Sequence, residues 1–157
     1  FTTSIDYDPN ESDSTRFWGK YAGGSREDIL GSGTSIAEAF RRGRAAISAN
    51  DLVERDNQRA VIREELAKVV AGTAIHYLND AIENFSDDAL RNHTLSEAVA
   101  FISGLPYGYE PIADQSQTTE WFILLGSDFY AVTTSDILNV RDQIASAAGL
   151  SEFKEEL

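Results

Sequence analysis

One long apolar helix constrains the fold of this chain more than any other feature. Between about Asp56 and Phe85, apolar residues recur at three- and four-residue steps, as a buried helical stripe requires. Beyond residue 70 the sequence is apolar on nearly every side, which is typical of a helix at the centre of its fold. The apolar positions of the long helix are Ile62, Leu66, Val69, Val70, Ala71, Thr73, Ala74, Ile75, Tyr77, Leu78, Ala81 and Ile82.

Shorter amphipathic segments flank this helix, and no pair of strands can be recognised. The helix before it is expected to bury Ile36, Phe40 and Ile47. The helix before the long one is expected to be capped by Thr34 or Ser35. The three helices after it are expected to start at His93, with a Thr94–Glu97 capping box, at Gln115, and at a cap on Thr133 or Thr134. We therefore predict an all-α fold, a helical bundle of about four to five helices with long loops. It is expected to cover residues 15–150, between an irregular acidic segment (1–14) and a charged tail (151–157) that is frayed or weakly helical.

Composition narrows the function classes. The chain of 157 residues carries 13 Lys and Arg against 26 Asp and Glu, a formal charge of −13. This balance disfavours nucleic acid and anionic membranes as partners, because phosphate binding needs clustered cations, and it suits divalent cations or basic ligands. Cysteine is absent, so thiol chemistry is excluded. No stretch reaches the ~20 apolar residues of a membrane span.

The long helix and the next one carry the residues best suited to metal binding. His76 and Asp80 are four residues apart, as are His93 and Glu97, so each pair can share a helix face. With Glu83, these side chains resemble the imidazole and carboxylate donors of helical metal sites. The metal prediction is therefore a divalent ion at His76, Glu83, His93 and Glu97, and His76 with Asp80 can instead serve ligand binding. A core histidine bonded to a carboxylate is the structural alternative.

The first residues suggest a second metal site. Asp6, Asp8 and Asn10 alternate like the first half of a calcium loop, although Glu11 stands where the turn needs Gly. The possible cofactor is therefore calcium here or iron at the helical site. A solvated acidic loop explains the same residues without a ligand.

Aromatic residues cluster at two places. Phe17, Trp18 and Tyr21 lie within five residues, which predicts burial or a ligand-stacking site. Tyr107 and Tyr109 lie in a loop rich in Pro and Gly. If the protein is an assembly subunit, all five aromatics are expected at a protein interface.

Several segments taken together resemble a known family. They are RFWGKYAGGSRE, GTSIAEAFRRGRAAI, IREELAKVVAGTAIHYLNDAI, HTLSEAVAFISGL and FYAVTTSDILNVRDQIASAAGL. In this order they resemble the C-terminal half of the bacterial family named domain of unknown function 4856. The resemblance implies an all-helical, exported protein, often lipid-anchored: periplasmic, attached to the outer membrane, or extracellular. It also implies a helical half before this segment, so we expect that half, or another protein chain, as a partner, with any lipid anchor upstream.

A more distant similarity is to imelysin-like proteins, exported helical bundles with a Gly-x-His-x-x-Glu motif. Here His76 follows Gly72 by four residues, and Asn79 stands in place of the Glu. The predicted function is an exported or cell-surface binding domain, non-catalytic, for a small ligand, a protein partner or a divalent metal. Two alternatives stay open, a metal-dependent hydrolase of imelysin-like type and a structural subunit of a surface assembly.

Overall fold

The described part of the protein is built from α-helices. A computed structural model describes residues 18–23 and 25–157, and within these ranges it contains seven α-helices and no strand. The helices are α1 (Trp18–Ala22), α2 (Ser25–Leu30), α3 (Ser32–Ser48), α4 (Leu52–Glu83), α5 (Asp88–Gly104), α6 (Gln115–Leu125) and α7 (Thr134–Ala147), with a 3-10 turn at Leu105–Tyr107. The all-α prediction is confirmed, and the five longer helices are those that the sequence pattern indicated.

The chain divides into two compact units inside the long helix. The first contains the described residues up to Val69, and the second contains Val70–Leu157. Helix α4 therefore contributes its first half to one unit and its second half to the other. None of the helices in the described ranges is long and apolar enough to cross a bilayer.

In the first unit, helix α3 is capped by a side chain from the preceding helix. The Glu27 carboxylate accepts hydrogen bonds from the backbone N–H groups of Gly33 (2.6 Å) and Thr34 (3.0 Å). The predicted cap at Thr34 or Ser35 is therefore wrong, because α3 begins at Ser32, after Gly31 in the left-handed region. The first N–H groups of a helix need an acceptor, and here α2 supplies it from outside the helix.

The buried face of α3 is made of small residues. Ile36 is fully buried as predicted, but Phe40 is 48% exposed and Ile47 is 61% exposed. The core positions are Ala37, Ala39 and Ala46 instead. Alanines fit where helices approach closely, so spacing alone selected the wrong apolar face for the second half of α3.

Helix α4 begins earlier than the apolar pattern suggested. Asn50 adopts a positive φ of 57° and ends α3, while the Asp51 carboxylate accepts a hydrogen bond from Glu54 N–H at 3.0 Å. Asp51 therefore acts as the N-cap of α4, which starts at Leu52 instead of Asp56. The extra turn contains two apolar side chains, but Leu52 is 52% exposed and Val53 is 74% exposed, so the turn does not extend the buried stripe.

The second half of α4 forms the core of the second unit. Its five fully buried apolar residues confirm that this segment is central: Ala71, Ala74, Ile75, Leu78 and Ala81. Core residues from later helices in the same unit are Leu95, Ile102, Trp121, Leu125, Ile137, Val140 and Ile144.

Helix α5 also starts earlier than expected, at Asp88. The Asp87 carboxylate accepts from Ala89 and Leu90 N–H, so the predicted start at His93 and the Thr94–Glu97 capping box are wrong. Thr94 is buried within the helix, and its hydroxyl donates to the Leu90 and Arg91 carbonyls. In the first turn of α5, Asp88, Ala89 and Leu90 are exposed, so this turn continues no buried apolar stripe.

The last two helices match their predictions. Helix α6 spans Gln115–Leu125, and α7 is capped by Thr133. Gly149 adopts φ 69° after α7, and Leu150 N–H donates to the Ala145 carbonyl at 2.7 Å. This is the Schellman arrangement that Gly followed by Leu predicts.

The C-terminal segment is folded against its unit, so of the two alternatives for the tail the frayed one does not hold. Residues 151–156 form turns, and the side chain of Leu157 is 6% exposed. We call residues 151–157 the strap.

Candidate functional site

The predicted histidine–carboxylate pair exists on α4. His76 Nε2 lies 3.4 Å from Asp80 Oδ2, and both side chains are one-third exposed. The His76 ring lies 5.4 Å from the Tyr77 ring, and Tyr77 stacks on Phe101 of α5 with centroids 5.8 Å apart. The pair is open to solvent at one edge and is supported by aromatic rings at the other.

The remaining predicted metal ligands are not gathered around this pair. Glu83 and His93 are exposed, and Glu97 is half-buried on α5. Within residues 18–23 and 25–157, no group of three or more His, Asp or Glu side chains is arranged to hold a metal ion. Metal binding at His76, Glu83, His93 and Glu97 stays a prediction without an assembled ligand set.

The first aromatic cluster lies partly on α1. Trp18 is 44% exposed and meets Tyr21 edge to face at 6.2 Å, while Lys20 Nζ lies 6.0 Å from the Tyr21 ring. Phe17 lies outside the described residues, as do the predicted calcium ligands Asp6, Asp8 and Asn10. Ligand binding at these positions stays a prediction.

The second unit carries nearly all of the excess negative charge. Residues 70–157 contain 14 Asp and Glu but only three Lys and Arg, whereas residues 18–69 contain eight acidic and nine basic residues. Ten of the 14 acidic residues are exposed. They are Glu83, Asp87, Asp88, Glu110, Asp114, Glu120, Asp128, Glu152, Glu155 and Glu156.

The three cations of this unit are engaged within it. Arg91 is 6% exposed and binds Asp88 at 2.7 Å, and Arg141 is 8% exposed and binds Asp142 at 2.9 Å. Lys154 Nζ lies 2.7 Å from Asp142 Oδ2. Within residues 70–157, ten exposed carboxylates are therefore matched by only three cations, two of which also bind the half-buried Asp142.

We call the ten exposed carboxylates of residues 70–157 the acidic surface. Three tyrosines of the same residues are also exposed. Tyr107 is 78% exposed, Tyr109 68% and Tyr130 70%. Tyr107 ends the 3-10 turn, which packs against α5 and α6, and its hydroxyl lies 3.4 Å from Gln115 Oε1. Large exposed rings on loops supported by helices are typical of binding surfaces.

A polar cluster that joins α4, α7 and the strap was not predicted from the sequence. Asn79 of α4 donates from Nδ2 to the carbonyls of Lys154 (2.8 Å) and Leu157 (3.1 Å), and Arg141 Nη1 donates to Asn79 Oδ1 at 3.1 Å. A hydrogen bond from Lys154, with the Arg141 charge beside it, holds the pKa of Asp142 below its ordinary value, although desolvation acts in the opposite direction. The available signal was Phe153 and Leu157, an apolar pair four residues apart in a charged segment.

Comparison with known proteins places the chain in one family. The model of the family described as "Domain of unknown function (DUF4856)" matches residues 4–149, nearly the whole sequence. The chain belongs to this family. Neither a curated protein nor a solved structure matches it. Family membership brings no activity with it, so the function must be sought in the surfaces of the protein.

Proposed function

We propose that this DUF4856 domain is a non-catalytic binding domain whose ligand is a basic segment of a protein partner. The observation that carries the proposal is the acidic surface of residues 70–157, whose own cations are engaged in ion pairs. A surface of one sign attracts the opposite charge and raises the rate of association.

The exposed tyrosines favour a peptide or protein over a simple ion. Tyr107 and Tyr109 offer exposed rings close in sequence to Glu110, and arginine side chains stack on such rings while pairing with carboxylates. Tyrosine also supplies contact area at low entropic cost. Metal-dependent hydrolysis has no comparable support, because residues 18–23 and 25–157 contain no assembled group of three metal ligands.

Titration calorimetry with a short Arg-rich peptide tests the proposal. We expect binding that weakens about tenfold in the double variant Tyr107→Ser/Tyr109→Ser, a loss of ~1.4 kcal/mol. Phe40→Ser removes a ring that is 48% exposed from α3, outside the acidic unit, and serves as the control. A peptide with Gln in place of every Arg should not bind. Equal binding of both peptides, or of none, contradicts the proposal.

We also propose that the domain works outside the cytoplasm. The resemblance of its segments to exported helical proteins supports this location. Fractionation of cells expressing the native full-length gene tests it: recovery in envelope or extracellular fractions is expected, and recovery in the cytoplasm alone would contradict it.

A further inference from the structure

The strap lies in a site that recognises its backbone. The Asn79 side chain donates hydrogen bonds to two backbone oxygens of the strap, those of Lys154 and Leu157. The Leu157 side chain is buried, while that of Phe153, which precedes Lys154, is 37% exposed. Carbonyl recognition combined with an apolar anchor is how proteins commonly bind peptides.

The side-chain amide of Asn79 is held in one orientation by a contact that does not involve the strap. Arg141 donates to Asn79 Oδ1, so the Asn79 Nδ2 protons must point the other way, towards the strap carbonyls. Arg141 is fixed in turn by Asp142, which accepts from its Nε at 3.0 Å. The site therefore belongs to helices α4 and α7 and keeps its donors when the strap leaves.

The polar contacts of the strap with the helices are made by few side chains. Asn79 binds two of its backbone oxygens, Lys154 pairs with Asp142, and Glu155, whose side chain is 76% exposed, lies 3.9 Å from Arg141. Its internal hydrogen bonds are short-range turns, such as Leu157 N–H to the Phe153 carbonyl. A segment held this way can open while the core stays folded.

We propose that Asn79, Arg141 and Asp142 form a peptide-binding site on α4 and α7, whose ligand is the strap sequence of this chain. The site holds residues 151–157 of its own chain, and after their release it accepts the same segment of a second copy. Every contact described above can be made identically between two chains, as in segment exchange.

Hydrogen exchange on the full chain tests the recognition step. Asn79→Asp keeps the side-chain size and the Arg141 contact but removes both donated bonds, so amides of residues 153–157 should exchange at least tenfold faster. Asn84→Asp is the matched control, because Asn84 Nδ2 also donates to a backbone carbonyl, that of Asp80, at 2.9 Å. Unchanged strap exchange in Asn79→Asp overturns the proposal, as does equal acceleration throughout α6 and α7.

Peptide binding tests the exchange step. The probe is a labelled SEFKEEL peptide with blocked ends, measured by anisotropy. It should bind the Leu157→Ser chain, whose own strap is weakened, at least tenfold more tightly than the wild type, and binding should be lost in Asn79→Asp/Leu157→Ser. A probe ending in Ser should not bind. Failure of the Leu probe to bind Leu157→Ser, or equal binding of both probes, overturns the proposal.

Discussion

Asn79 shows how a single residue can take a role that local sequence does not reveal. In the sequence it stands in place of the Glu of the imelysin-like motif. Its partners lie 62 to 78 residues away, and no periodicity encodes such distances. His76–Asp80, by contrast, is a local pair on one helix and was predicted correctly from its spacing.

Glu27 provides a test of capping from outside the helix. Glu27→Ala leaves the N–H groups of Gly33 and Thr34 without their acceptor, so we expect a loss of about 1–2 kcal/mol in the free energy of unfolding. Urea denaturation followed by circular dichroism measures it. Asp28→Ala, at an exposed neighbouring position, should change stability by less than about 0.5 kcal/mol. Similar losses in both variants would contradict the assigned role.

Asp142 makes attachment of the strap depend on pH. Its folded pKa lies below the ordinary value of 3.8, so its contribution is complete above the unfolded pKa and is lost as pH falls through the lowered folded value. The heteronuclear NOE of the amides of residues 151–157 reports backbone mobility and not local charge, so it should stay high at neutral pH and fall only as pH drops below the ordinary Asp value. Asp142→Asn should lower this NOE at neutral pH. An NOE that responds to neither change would show that the Lys154 pair does not hold the strap.

At the scale of elements, helices with both an apolar stripe and a stop signal were predicted most closely. Helix α6 has Gly126 at its end, and α7 has Thr133 at its start and Gly149 after it. Helices α4 and α5 each begin with a mostly exposed turn capped by Asp51 or Asp87, and such a turn continues no buried stripe. The choice of face in α3 depended on a neighbouring helix and could not be read locally.

Replacing Gly149 and Gly43 by alanine should change the free energy of unfolding in opposite directions. Gly149→Ala places a Cβ on a residue with a φ of 69°, so it should lower the free energy of unfolding by about 1–2 kcal/mol. Gly43→Ala adds a Cβ in ordinary contact, 3.5 Å from Gln58 Cβ, within a helix, and should stabilise by about 0.5–1 kcal/mol. Chemical denaturation of both variants checks the signs. Changes of the same sign would contradict these backbone assignments.

At the scale of the whole molecule, charge is distributed unevenly between the units. The total of −13 was known from composition, but only the structure shows that the three cations of residues 70–157 are engaged internally. Because the exposed carboxylates repel one another, raising NaCl from ~20 to ~200 mM should raise Tm by about 2–4 °C. Scanning calorimetry checks this, and Glu120→Lys should reduce the increase. A Tm that falls with salt would contradict net repulsion.

The binding surface can be located directly by NMR titration of the isotope-labelled chain with the Arg-rich peptide. We predict shifts at Tyr107, Tyr109 and the acidic positions of residues 83–128, and none at the amides of α3. Shifts confined to residues 18–69, or no shifts at all, would contradict the assignment of binding to the acidic unit.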